Sequence, residues 1–233
     1  MFEDVFSIPG MSEQIIQYLR NKDKMSLSIV NKEFCKNTIY DKNFTKKGSI
    51  EFIKSFEKLN ENEKHELKKY KISLKLNQFS DIFNNYCSLI HTLDLFNSGI
   101  TDVSALGKVH TLNLSHCQGI TDVSALGKVH NLNLSHCKGI TDVSVLRKVH
   151  TLNLYKCKGI TDVSALGGVH TLNLSHCQGI TDVSALSKVH TLDLSNCQGI
   201  TDVSALVGVH HLDLYNCEGI RDVSSLYGVH LVF

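Results

Sequence analysis

From His110 onward the apolar and polar positions of the chain recur every 20 residues. One unit reads HTLNLSHCQGITDVSALGKV, and full copies begin at His110, His130, His150, His170, His190 and His210. A 19-residue copy that lacks the cysteine opens at His91, and a partial copy opens at His230. Residues 71–90 read as a degenerate copy, because Leu74-x-Leu76 lies 19 residues before Leu93-x-Leu95. Each unit contains two local periods. The alternation Leu112-Asn113-Leu114 predicts a short, half-buried strand. The spacing of three from Ile120 to Val123 to Leu126 predicts a tight helical turn or 3-10 segment. One such strand cannot bury its own apolar row, so the units must stack on one another around a shared core. The predicted fold is an α/β repeat solenoid with a parallel sheet whose strands lie about 4.8 Å apart.

The first 70 residues show no repeat and a different pattern. Ile15, Ile16 and Leu19 mark one helical face, Leu27, Val30 and Phe34 mark another, and Asp23 is placed to cap the second helix. A third amphipathic stretch covers about 49–59. The reading therefore divides the chain into a small helical domain at 1–48, a helical linker or N-terminal cap at 49–70, and repeats over 71–233.

Composition narrows the function. The chain has 233 residues, 42% hydrophobic and 20% charged, enough apolar material for a packed core. The formal net charge is +1, with 15 basic and 12 acidic residues up to position 90 and 9 basic and 11 acidic beyond it. Neither part is charged enough to specify a polyanion, so no nucleic-acid partner is expected. No run of 18 apolar residues occurs, so no membrane span is expected. The start, MFEDVFSIPG, lacks a basic-then-apolar signal pattern, which points to the cytoplasm or nucleus.

Two resemblances follow from particular residues. Val109-x-x-Leu112-x-Leu114-x-x-Cys117-x-x-Ile120-Thr-Asp resembles the frame of leucine-rich repeats in their cysteine-containing form, and it recurs in register six times. That resemblance implies an arc with the parallel sheet on its concave face and a protein bound there. Twenty residues is short for the cysteine-containing class, so the convex side is expected to be thin. In the N-terminal part, Ile8-Pro9, Ile16, Tyr18-Leu19, Asp23, Leu27, Val30, Phe34 and Phe44 resemble an F-box, with Phe34 and Phe44 where tryptophan is usual. An F-box implies a small all-α domain that docks on a Skp1-type adaptor of a cullin ubiquitin ligase, through Ile8, Pro9, Ile16, Leu19, Leu27, Val30 and Phe34. The near-identical repeats and the Lys/Asn-rich N-terminal part also resemble proteins of large amoebal DNA viruses, which implies the host cytoplasm. Together these imply a non-catalytic substrate-recognition subunit, monomeric outside its complex and without cofactors. The rival reading is a repeat scaffold whose first 70 residues only cap the solenoid.

The recurring polar residues admit chemical readings. Cys117, Cys137, Cys157, Cys177, Cys197 and Cys217 read as buried free thiols that fill the turn after the strand. A single cysteine per unit is poor for zinc, so no metal is assigned. His91, His110 and their successors to His230 read as a corner ladder, with metal capture or a pH response as the functional alternative. The Asp102-to-Asp222 ladder reads as caps of short turns. The Gly99-to-Gly219 ladder is expected to permit a backbone turn closed to side chains. The Ser-His pairs, such as Ser115-His116, lack an orienting third group, so no catalytic residue is assigned. Strand alternation places Thr111, Asn113 and Ser115 on the outward side. Variation at outward places selects Phe96, Tyr155, Lys156, His211, Tyr215 and Asn216 as target-binding residues, since aromatic side chains give rigid contact area.

Overall fold

The computed structural model describes residues 72–75, 85 and 87–232. The F-box-like segment 1–48 and the stretch 49–70 lie outside the described residues, and so do the adaptor-facing positions from Ile8 to Phe34.

Within the described part, each unit contributes one short strand to a single sheet. The strands are β1 (Ile72–Lys75), β2 (Ile90–Asp94), β3 (Thr111–Asn113), β4 (Asn131–Asn133), β5 (Thr151–Asn153), β6 (Thr171–Asn173), β7 (Thr191–Asp193), β8 (His211–Asp213) and β9 (His230–Val232). They form one sheet in sequence order, with every neighbouring pair parallel. From β3 to β8 the register advances by one 20-residue unit, so Leu112 meets Leu132, then Leu152, Leu172, Leu192 and Leu212. Each side chain therefore stacks on its own counterpart, and every type of position becomes a column along the molecule.

The return path is thin, as the short unit implies. After each strand the chain turns, and the segments Ser124–Leu126, Ser144–Lys148, Ser164–Gly168, Ser184–Leu186 and Ser204–Gly208 are 3-10 turns. The apolar columns point inward. In the unit of β5, Leu152, Leu154, Cys157, Ile160, Val163, Leu166 and Val169 are all buried. No unit could bury these groups alone, because the strand offers only one apolar side chain among three residues.

Hydrogen bonds tie the units at both corners. At the corner before the strand, the His130 and Asn131 amides both donate to the His110 carbonyl at 3.0 Å. Beyond the strand, the Leu114 amide donates to Asn133 (2.8 Å) and the His116 amide to Ser135 (2.9 Å). The ladder thus runs past the three-residue strand into the turn.

Among the described residues no helix is long and apolar enough to cross a membrane. At the end of the described chain, Val232 in β9 is 45% exposed and Tyr227 is 95% exposed, so Tyr227 does not cover that sheet edge.

Candidate functional site

The outward face of the sheet consists of two polar columns flanked by rings. The first column is Thr92, Thr111, Asn131, Thr151, Thr171, Thr191 and His211; the second is Asp94, Asn113, Asn133, Asn153, Asn173, Asp193 and Asp213. All are half-buried except His211, which is exposed. The second column ends each strand. Its side-chain oxygen accepts the amide two residues on: Asn153 from Tyr155 at 2.9 Å, Asp193 from Ser195 at 2.9 Å, Asp213 from Tyr215 at 2.8 Å. This local bond breaks the strand because it offers the backbone an alternative to the ladder. The column is also linked sideways, by Asn113 Nδ2 to Asp94 (2.9 Å) and Asn173 Nδ2 to Asp193 (2.7 Å), while Lys75 pairs with Asp94 at 3.1 Å.

One flank is an imidazole column just before the strand. Consecutive ring centroids from His91 through His110, His130, His150, His170, His190 and His210 lie 4.4 to 4.7 Å apart. Nδ1 lies 3.2 to 3.3 Å from the next threonine's hydroxyl at His91, His110, His150, His170 and His190. Burial and then His210, His170 and His211 hold the His190 pKa below its ordinary value.

The other flank follows the strand. There Phe96 meets His116 at 5.1 Å, His116 stacks on His136 at 4.0 Å, His136 meets the Tyr155 edge at 5.1 Å, and Tyr155 meets His176 at 5.2 Å. Lys156 Nζ sits 4.9 Å from the Tyr155 ring centre. Burial, followed by His116, Lys156, Lys138 and His176, lowers the His136 pKa.

Of the residues selected from sequence, Phe96, Tyr155 and Lys156 join one ring-lined flank, with Phe96 45% exposed. His211, Tyr215 and Asn216 stand three units further along, where Tyr215 is 57% exposed and Asn216 donates to Asn196 at 2.8 Å. The two groups are not one cluster. Sequence reasoning omitted His116, His136 and His176 from the site. Their signal was the same variable place that selected Lys156 and Asn216.

Two details emerge only from the structure. The outward place after the strand holds Phe96 and Tyr215 exposed, whereas the short side chains of Ser115, Ser135 and Ser175 are covered there, and the Ser115 hydroxyl turns back to Asn113 at 2.7 Å. The glycine turn is closed to side chains as expected, and the left-handed residues stand elsewhere in it. The left-handed residues are Asn97, His116, His136, Lys156, His176, Asn196 and Asn216, with φ between 51° and 64°. From Gly119 to Gly219 the repeated glycine has no such φ. It is required because a Cβ at Gly159 would stand 2.6 Å from the Ile140 carbonyl of the preceding unit.

The remaining ladders have structural work. Cys137 Sγ donates to the Leu114 carbonyl at 3.2 Å and Cys157 to Leu134 at 3.1 Å, each reaching back one unit. Burial pushes the Cys137, Cys157 and Cys197 thiols up to about 12. Asp122, Asp142, Asp162 and their counterparts accept the amide of the serine two residues on at 2.8 to 2.9 Å, which starts each 3-10 turn. That bond, then the serine hydroxyl, lowers each carboxyl's pKa. Among the described residues no group of three His, Cys, Asp or Glu side chains converges as a metal site.

The columnar geometry agrees with comparisons to known proteins. Residues 108–126, 169–187 and 185–206 match the family model of the Leucine Rich repeat. These three segments resemble leucine-rich repeats. An internalin (inlF) of Listeria monocytogenes is 21% identical with a TM-score of 0.54, over 66% of this chain and 50% of that one. At that identity the likeness speaks for the fold alone, and this chain spans half the length of that internalin. Internalin C2 of the same species is 26% identical over 64% of this chain and 81% of that one, with a TM-score of 0.47. The functional domain of InlJ, described as including a cysteine ladder, is 17% identical over 70% and 56% of the two chains, with a TM-score of 0.27. No curated protein matches the sequence.

Proposed function

We propose that this chain is a non-catalytic protein-binding adaptor whose outward sheet face holds a target protein. The observation that carries the reading is the continuous nine-stranded parallel sheet with a polar face of short side chains and protruding rings at Phe96 and Tyr215. Rigid aromatic groups around a regular surface are suited to protein contact. The catalytic alternative has little to support it: the Ser115 hydroxyl is engaged by Asn113, and the His116 ring is stacked on His136. The test is affinity purification of the full chain from cells, beside a variant carrying Phe96→Ala, Tyr155→Ala and Tyr215→Ala. The wild type retains a specific protein and the variant loses it about tenfold or more; equal retention by both sinks the assignment of this face.

The finer reading is a substrate-recognition subunit of a Skp1-cullin-F-box ubiquitin ligase, acting in the cytoplasm or nucleus, or in the host cytoplasm for a viral protein. Its support is the sequence of residues 1–48, with Ile8, Pro9, Ile16, Leu19, Leu27, Val30 and Phe34 facing the adaptor. Such a subunit raises the effective concentration of target beside ligase and makes no bond itself. Full-length chain mixed with a purified Skp1-type adaptor forms a complex in size-exclusion chromatography. Absence of that complex leaves the scaffold reading, in which the N-terminal segment only caps the repeats.

A further inference from the structure

All but one of the 13 histidines lie at or beyond His91, and their placement relative to the sheet is systematic. His110, His130, His150 and His170 border the polar strip on one side, in an unbroken ring stack. His116, His136 and His176, with Tyr155 and Lys156 between them, border it on the other. His110 and His116 are six residues apart, at most about 20 Å, and an extended segment laid between the borders turns its side chains alternately to each.

The charges along this strip are sorted. Its carboxylates lie at the two ends: Asp94, held by Lys75 and Asn113, and Asp193 and Asp213. Between them the same column is neutral, running Asn113, Asn133, Asn153 and Asn173. Beside this neutral middle, Lys156 is half-buried while Lys138 and Lys158 are exposed, and none of the three has an ion-pair partner among the described residues. Lys108, Lys128 and Lys148 are exposed two residues ahead of the other border's histidines. The Asp102-to-Asp222 carboxylates are on the 3-10 side, engaged with serine amides.

We propose that the strip over the units from His110 to His176 is a docking channel for an extended acidic protein segment, which it holds more tightly in mild acid. The proposal rests on the protein-binding reading above and names the chemistry of the partner. Carboxylates laid along the strip meet lysines that lack an ion-pair partner among the described residues and, in mild acid, imidazole rings that can take up a proton. The groups around His136 are His116, His176, Lys138, Lys156 and the Tyr155 phenol, and those around His190 are His170, His210 and His211. Apart from the phenol all are cationic or become so, which disfavours the protonated rings in the free protein. An acidic ligand reverses that bias, so binding takes up protons and strengthens as pH falls. The rings favour a peptide over single-stranded nucleic acid. Base stacking needs open aromatic faces, whereas here the imidazole faces are occupied by one another at 4.0 to 4.7 Å.

The test is fluorescence anisotropy of the full chain with a labelled peptide of about five Asp-Ser repeats. An Asn-Ser peptide and a deoxythymidine decamer serve as comparators at fixed ionic strength. Aspartate stays ionised at both about pH 7.5 and about pH 6, so only the protein titrates. The acidic peptide binds roughly tenfold or more tightly at the lower pH, and the Asn-Ser peptide does not bind. The chosen variant is Asn133→Asp with Asn153→Asp. Aspartate already occupies this column at Asp193, with the same 2.9 Å bond to the amide two residues on. The variant therefore keeps its melting temperature at pH 7.5 and loses the acidic peptide by about tenfold. Lys156→Gln with His136→Gln reduces the pH dependence. Failure of the acidic peptide to bind at about pH 6, equal binding by the Asn-Ser peptide, tighter binding of the decamer, or indifference to the two aspartates each overturns the proposal. A target captured from cells whose retention ignores the two aspartates also overturns it while leaving the protein-binding reading intact.

Discussion

At the scale of single residues, each letter of the repeat answers to a contact with its counterpart one unit away. The glycine column is the sharpest case, because the obstacle is backbone. Gly159→Ala sets a methyl group 2.6 Å from the Ile140 carbonyl, and the units on either side must separate or twist. The expected cost is about 1–3 kcal/mol of unfolding free energy, read from urea denaturation with the m-value unchanged. The need for glycine was legible from its recurrence, but its reason was not, since the obstructing atom is 19 residues away in sequence. The left-handed turn lay hidden for a related reason. Histidine, lysine and asparagine fill that position in different units, and only asparagine signals such a backbone by itself. The cysteines were legible as buried thiols from their apolar surroundings and the one-per-unit spacing, and each makes its bond to a carbonyl of the preceding unit.

Among the elements, stability resides between units rather than within them. Leu154 is completely buried, and its leucine counterparts precede and follow it in the stack. Leu154→Ala is expected to cost about 2–5 kcal/mol. Because each unit touches only its neighbours, the same change weakens coupling between the two halves of the array. Thermal unfolding of the variant should broaden or divide into two steps, whereas a globular core would melt lower but in one step; differential scanning calorimetry separates these outcomes. The strand and the 3-10 turn were both legible from spacing. The limits were not: the apolar-polar alternation extends to Leu114 and Ser115, but the Asx bond at Asn113 ends the strand earlier.

For the molecule as a whole, stacking multiplies a small local charge into a large collective one. The formal charge of +1 counts histidines as neutral, and protonation adds one charge for each of 13. His136 and His190 have their pKa values lowered in the fold. The unfolded chain therefore binds protons more readily than the native state just below the ordinary value of 6.5. Linkage makes the native state lose stability as pH falls through that value, and the contribution is fully present above it. The melting temperature is expected to fall between about pH 7.5 and 5.5, the window around the ordinary histidine pKa. A flat profile across that window would show that the imidazole columns do not oppose protonation.

What the amino-acid order determined by itself was the repeat length, the two elements in each unit, the set of buried side chains and the need to stack. All of these follow from the apolar spacing within a unit and from its recurrence along the chain. Only the tertiary structure decided which polar groups meet. Placing each strand beside the next in register set His116 on His136, Asn153 between neutral neighbours, and two rows of imidazoles along one polar strip. Sequence spacing ranks residues by distance along the chain, whereas electrostatics and ring contact depend on separation across the sheet, and in this fold residues 20 positions apart are nearer than many only a few apart.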